Sequence, residues 1–173
     1  MQVLPPQPIL DLAIRVSSQI TQGKELFDVK DYIQNFDFSK VDFDSLAQFD
    51  SNSYKRTLLY NDGNIDIYLI GWNNKQASKI HDHPDNGCVM RVLKNQVSEE
   101  TYIMRDSGLE KVTYKCLTVG QTGHIKKNTI LHRIMNETDE QSLSLHVYSP
   151  PNYKTRYYDE KGVQMIWNEM IGG

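Results

Sequence analysis

The sequence predicts a mainly β protein, a jelly-roll β-barrel with a short N-terminal helical segment. Three observations predict it. Residues 1–50 place apolar side chains at helical spacing, and residues from Tyr54 onward fall into short β-branched and aromatic runs cut by turn clusters. The 173 residues suffice for one hydrophobic core without covalent staples. A single domain spanning 1–173 is therefore expected, helical over 1–50 and barrel over 54–173.

Between Pro8 and Ile20, Leu10, Ala13, Val16 or Ser17, and Ile20 recur near the helical period, and Gly23 follows as a stop. Asp28 is a candidate cap for a second helix through Tyr32, Ile33 and Phe36. Asp42 or Asp44 would cap a short third helix through Leu46 and Phe49.

From Tyr54 the turn clusters are Asn61-Asp62-Gly63-Asn64, Asn73-Asn74, Asp106-Ser107-Gly108 and Gly120-Gln121-Thr122-Gly123. Evenly spaced strands over about a hundred residues need closure to protect their edges, which favours a jelly-roll or cupin-like barrel. The tail from Tyr157 to Trp167 is expected to add closing strands. No internal repeat, low-complexity tract or interdomain linker interrupts the chain.

A formal net charge of −3 with Lys and Arg scattered argues against nucleic acid and anionic membrane as partners and leaves a small molecule as the expected one. No apolar run approaches the roughly 20 residues that span a bilayer, and the first residues carry neither a basic nor an apolar leader region, so a cytoplasmic protein is expected. Cys88 and Cys116 are too few for a disulfide framework and are expected to be thiols. The sequon Asn136-Glu137-Thr138 carries little weight without a secretory leader.

Chemistry concentrates in Ile80-His81-Asp82-His83-Pro84-Asp85-Asn86-Gly87-Cys88. Two histidines two positions apart in an extended strand project both imidazoles from one face. His132 is the best placed third ligand; His146 is another, and Asp85 would instead complete a two-histidine, one-carboxylate set. Three neutral imidazoles suit iron, zinc, copper or nickel. Without such context His-x-His is as readily a surface pair. In Ser142–Ser149, strict alternation puts Ser144, His146 and Tyr148 on one face, either a hydroxyl, imidazole and phenol relay or an ordinary exposed strand face. His124, in a turn-rich stretch, reads as a surface loop residue, and Cys88 alone reads as a small hydrophobe.

His81-x-His83, a residue at the Cys88 position and then His132-x-x-x-Asn136 resemble the two cupin motifs, with Cys88 where a glutamate normally stands. Together with Ser144-Leu145-His146-Val147-Tyr148-Ser149-Pro150-Pro151, in this order, they resemble the thiol dioxygenases, specifically the animal-like type I cysteine dioxygenase family, from about Tyr54 to Asp159. The resemblance implies His81, His83 and His132 on Fe(II), and a thioether crosslink between Cys88 and Tyr148. It also implies Ser144 and His146 orienting Tyr148, Arg56 binding the substrate carboxylate, Tyr54 beside it, and Trp72 supporting the pocket. The implied reaction is oxidation of L-cysteine by O2 to cysteine sulfinic acid, in cysteine catabolism and taurine biosynthesis, by a monomer.

Two departures stand out. Asn95 replaces a motif glycine, a substitution asparagine tolerates in a left-handed turn. Thr155 stands where animal enzymes often carry a second active-site cysteine. The alternatives are a dioxygenase for 3-mercaptopropionate or another small thiol, and a non-enzymatic metal-binding cupin module. Arg56 and Cys88 favour cysteine, and the Cys88 and Tyr148 pair is one that a binding module or zinc hydrolase does not need.

Overall fold

Helix α1 (Gln7–Thr21) buries Ile9, Leu12, Ala13, Val16 and Ser17 along one face and begins with proline in its first turn, where the missing N–H costs nothing. Full burial of Ile9, Leu12 and Val16 contributes about 1.5–3 kcal/mol apiece before chain entropy is offset. Gly23, at φ +86°, ends the helix and donates its N–H to Ile20 O at 2.9 Å. This computed structural model describes residues 4–126 and 129–166.

The expected second helix is split. A 3-10 turn (Leu26–Val29) runs into α2 (Lys30–Asn35), because Glu25, three residues before Asp28, is the cap: Asp28 accepts the Glu25 N–H at 2.9 Å in a capping box. Asp42 caps α3 (Phe43–Leu46) as expected, accepting the Ser45 N–H at 3.2 Å, but the helix is one turn long and stops before Phe49.

Among the described residues, the remaining chain forms ten strands: β1 (Lys55–Asn61), β2 (Asp66–Trp72), β3 (Ile80–His81), β4 (Cys88–Lys94), β5 (Gln96–Arg105), β6 (Gly108–Thr118), β7 (Thr122–Ile125), β8 (Ile130–Met135), β9 (Ser142–Tyr148) and β10 (Tyr157–Tyr158). They make two five-stranded sheets, ordered β1-β2-β9-β4-β7 and β10-β3-β8-β5-β6, with antiparallel pairing throughout. This is the expected mainly β jelly roll. The 61–64 and 106–108 clusters join hairpin strands, whereas Thr122 and Gly123 of the last cluster belong to β7. The expected closing tail is β10 plus a bridge between Tyr158 and Gln164. Trp167 lies outside the described residues. Among the described residues, no helix is long and apolar enough to cross a membrane.

Strand alternation divides the core in two. Ile67, Leu69, Val89, Leu143, Leu145 and Val147 face outward under the N-terminal helices, packed with Ile9, Leu12, Val16, Leu26 and Ile33. Ile70, Trp72, Met90, Val92, Val97, Leu117 and Ile134 fill the space between the sheets. Strand β9 is therefore buried on both faces, and the Ser144, His146 and Tyr148 face looks into the barrel instead of into solvent. Asn95 takes φ +56°, the left-handed conformation expected of it. Asn136 is 1 % exposed, with its amide donating to the backbone of Trp72, Asn73 and Glu140, so the sequon is closed to glycosylation in the folded chain.

Candidate metal centre and the adjoining pocket

The register of the second sheet sets His81 directly opposite His132, and His83 follows two residues beyond His81. Three ligand nitrogens converge there within 4.8 Å of one another. His83 Nε2 lies 2.9 Å from His132 Nε2, which lies 3.2 Å from His81 Nε2. Asp85 is exposed in the turn and stands outside this cluster. His146 also stands outside it, with both ring nitrogens engaged elsewhere.

Proton assignment shows why this arrangement calls for a cation. His81 Nδ1 faces the Lys79 carbonyl at 2.8 Å, and a carbonyl only accepts, so Nδ1 carries the hydrogen. With Glu99 ionised, His132 Nδ1 donates to its Oε1 at 2.8 Å. A neutral imidazole protonated at Nδ1 presents a bare lone pair at Nε2, so two lone pairs face each other across 3.2 Å. Burial first, and neighbouring imidazoles second, hold His83 and His132 well below the usual histidine range; burial takes His81 down to about 4. Protons are thus disfavoured at the centre, whereas a metal ion would take up all three lone pairs.

A second chain of polar groups runs along β9. Trp72 Nε1 donates to Ser144 Oγ at 2.9 Å, and Ser144 Oγ lies 2.8 Å from His146 Nε2. Ser144 is fully buried, so its hydroxyl hydrogen must find an acceptor, and His146 Nε2 is the one at hand. His146, held neutral chiefly by burial, then carries its hydrogen on Nδ1, which faces Tyr148 Oη at 3.3 Å. The direction of the relay turns the Tyr148 hydroxyl hydrogen away from His146, where the Cys88 sulfur is one acceptor within its reach. Burial, then the neighbouring Cys88 thiol, keeps that phenol un-ionised, and burial likewise pushes the Cys88 thiol up. Cys88 and Tyr148 are direct cross-strand partners.

Arg56 sits on the edge strand β1 and is exposed, but it faces the pocket: its guanidinium lies 4.2 Å from the Tyr68 ring centroid and 5.5 Å from that of Tyr148. Among the described residues, no carboxylate forms an ion pair with it. Tyr54 stacks on Trp72 with centroids 4.6 Å apart. A narrow cavity of about 20 Å³ is lined by Arg56, Trp72, His81, His146, Tyr148 and Tyr157, among others, and beside it lies a vestibule of about 620 Å³ that shares Tyr54, Arg56 and Tyr157.

All ten sequence-nominated residues therefore lie in or beside one region of the barrel. Sequence reading missed Glu99 behind His132, Tyr68 beneath Arg56, and the pocket wall contributed by Tyr157. Glu99 had a usable signal, a carboxylate in step with Val97 on the inward face of β5. His124 was misplaced as a loop residue: it lies half-buried in β7 with its ring 4.9 Å from that of Phe27.

A family model described as cysteine dioxygenase type I matches residues 3–161. The chain is 29 % identical over 168 residues to cysteine dioxygenase type 1 of Danio rerio and 27 % identical over 167 residues to that of Homo sapiens, each alignment covering 92 % of this chain and 83 % of the relative. Among solved structures, oxalate oxidase with the substrate analogue glycolate aligns at TM-score 0.56 and 15 % identity, over 71 % of this chain and 65 % of that one. A double-stranded β-helix protein from Klebsiella pneumoniae aligns at TM-score 0.54 and 17 % identity, over 69 % and 96 %. These structural likenesses establish the cupin fold.

Proposed function

This chain belongs to the cysteine dioxygenase type I family, and on that premise we propose that it is an iron-dependent enzyme that oxidises L-cysteine with O2 to cysteine sulfinic acid. The whole chain serves as one domain in this reading. The observation that carries it is the sharing of one cavity by His81 from the metal cluster, an exposed Arg56 that has no acidic partner among the described residues, and the Tyr148 phenol.

His81, His83 and His132 would hold Fe(II), leaving its further positions to small ligands. Bound there, the iron supplies the redox chemistry with oxygen and the positive charge that favours a thiolate over a thiol. Arg56 takes the substrate carboxylate in charge-assisted hydrogen bonds, and with no carboxylate partner among the described residues its guanidinium is available. Tyr54 and Trp72, stacked, support that wall of the pocket. Tyr148, held by His146 and Ser144, directs its hydroxyl at the reacting sulfur and would form a thioether with Cys88. The narrow cavity excludes bulk water while these contacts form.

The test is oxygen uptake by anaerobically iron-loaded protein given L-cysteine, 3-mercaptopropionate or cysteamine, with the product identified by mass spectrometry. Selective formation of cysteine sulfinate supports the assignment. Preference for another thiol overturns the substrate, and no uptake despite bound iron overturns the enzyme reading.

A further inference from the structure

Asp82, the residue between the first two metal-ligand histidines, is 1 % exposed, and all the partners of its carboxylate lie on one distant segment. Oδ1 accepts the Arg156 backbone N–H at 2.8 Å, while Oδ2 accepts Tyr153 Oη at 2.9 Å and also the Arg156 Nε–H. The Asp82 backbone N–H in turn donates to Arg156 O at 3.1 Å. Strand β3 ends at His81, and its partner β10 is only two residues long, pairing Tyr157 with His81 and Tyr158 with Ile80. At the next rung the Asp82 side chain replaces the missing main-chain acceptor and continues the ladder.

Alternation gives this lock its consequence. With Arg156 turned to Asp82, its neighbours Thr155 and Tyr157 turn the other way, and both line the narrow cavity. The Tyr157 ring lies 6.0 Å from that of His81. Strand β10 has a two-residue ladder on β3 and, on its other side, the Met165 N–H on Tyr157 O at 2.8 Å and the Tyr158–Gln164 bridge, so the Asp82 side-chain bonds reinforce a short backbone connection at the Arg156 end.

We propose that Asp82 is a positioning residue that, through Arg156 and Tyr153, fixes the 153–158 segment as the pocket wall opposite Arg56 and thereby sets the size of thiol the site accepts. This rests on the dioxygenase reading of the pocket. One motif then has two outputs: His81 and His83 point to the metal, and Asp82 sets the wall that the substrate meets.

The lock is best tested from its far side, where the metal ligands are untouched. Arg156→Gln, Tyr153→Phe and the double variant are compared with wild type and with Arg105→Gln, a control that removes a half-exposed arginine from its ion pair with Glu110 on the β5–β6 hairpin. Metal content, amide hydrogen exchange over 153–158, and kcat and KM for L-cysteine and for its one-methylene homologue homocysteine are measured on the iron-loaded enzymes. The double variant is expected to keep its metal and exchange faster at 155–158, with KM for cysteine raised about tenfold and kcat changed less than about threefold. Discrimination against homocysteine should fall by roughly tenfold, the scale one methylene commands, with the control unchanged. Faster exchange with unchanged KM and discrimination would overturn the proposal, as would loss of metal as the cause of any defect. If wild type oxidises no thiol, the parent reading fails first and the size filter with it.

Discussion

His132 Nδ1 donates a hydrogen bond of 2.8 Å to Glu99 Oε1, and each of the two side chains is only 2 % exposed. That bond fixes which ring nitrogen of His132 carries the hydrogen, and so which one offers a lone pair to the cluster. Burial raises the Glu99 carboxyl above its ordinary range, opposed by Lys115 and the nearby imidazoles. A metal ion on His132 would make the imidazole a stronger donor and favour the carboxylate. Glu99→Gln preserves shape but removes the charge, and metal affinity should fall about 10–100-fold. Competition against a chromophoric chelator measures it; an unchanged affinity would show that the backbone alone orients His132.

Acid should destabilise the metal-free protein selectively. Burial holds His81, His83, His132 and His146 neutral, below the ordinary histidine value of 6.5, with His81 at about 4. Below pH 6.5 the unfolded chain takes up protons that the folded state refuses, so stability is fullest above that value and falls as the pH drops toward the folded pKa values. Each group contributes a slope of at most about 1.4 kcal/mol per pH unit. Glu99, shifted upward, works in the opposite sense, one group against four. Thermal unfolding of the metal-free form should show Tm declining between about pH 7 and pH 5, and saturating metal at neutral pH should raise it. A flat profile would mean that the imidazoles are open to water.

In the proposed reading Arg56 acts in binding and not in chemistry. Replacing it by glutamine removes a charged partner from the substrate carboxylate, so kcat/KM for L-cysteine should fall by about 10–100-fold, mostly through KM. Cysteamine, which has no carboxylate, should be affected far less, and metal content should be unchanged. Equal losses for both thiols would remove Arg56 from carboxylate recognition and make it a packing residue on the Tyr68 ring.

Periodicity revealed most of what periodicity can encode. The His81 and His83 pair, the Ser144 to Tyr148 face and the helical start of the chain were visible as spacing, whereas His132 stood beside His146 and Asp85 as a third-ligand candidate until the family resemblance singled it out. The second helix was misread because Asp28 looks like a cap when the capping box lies one turn earlier. Glu99 left a signal in its step with Val97, but the roles of Tyr68 and Tyr157 were not legible, because each depends on cross-strand register. Tyr68 stands opposite His146, and Tyr157 opposite His81, through pairings between segments about 75 or more residues apart. Nothing local in the chain specifies such neighbours. The Asp82 to Arg156 lock was hidden for the same reason, although a buried acid between two histidines must be satisfied by something.

Gly87 controls the approach of Cys88 to Tyr148. It takes φ +80°, donates its N–H to Pro84 O at 2.8 Å, and passes so close to β7 that an added Cβ would sit 1.8 Å from the Ile125 carbonyl oxygen. No side chain fits there without moving backbone, and the residue that would move with it is Cys88, opposite both Tyr148 and Ile125 in the ladder. Gly87→Ala should therefore cost at least about 3 kcal/mol of stability. It should also suppress the Cys88 to Tyr148 thioether, whose formation joins sulfur to a ring carbon, removes two hydrogens and reduces O2 in the presence of iron. Intact mass after exposure to iron, cysteine and air reads that loss directly, with Cys88→Ser as the blank. Gly63→Ala, with nothing within 4 Å of its added Cβ, should change stability by no more than about 0.5 kcal/mol and leave crosslinking as in wild type. If Gly87→Ala is destabilised yet crosslinks as fully as wild type, the register of β4 against β9 withstands the clash, and the close approach at Gly87 serves stability alone.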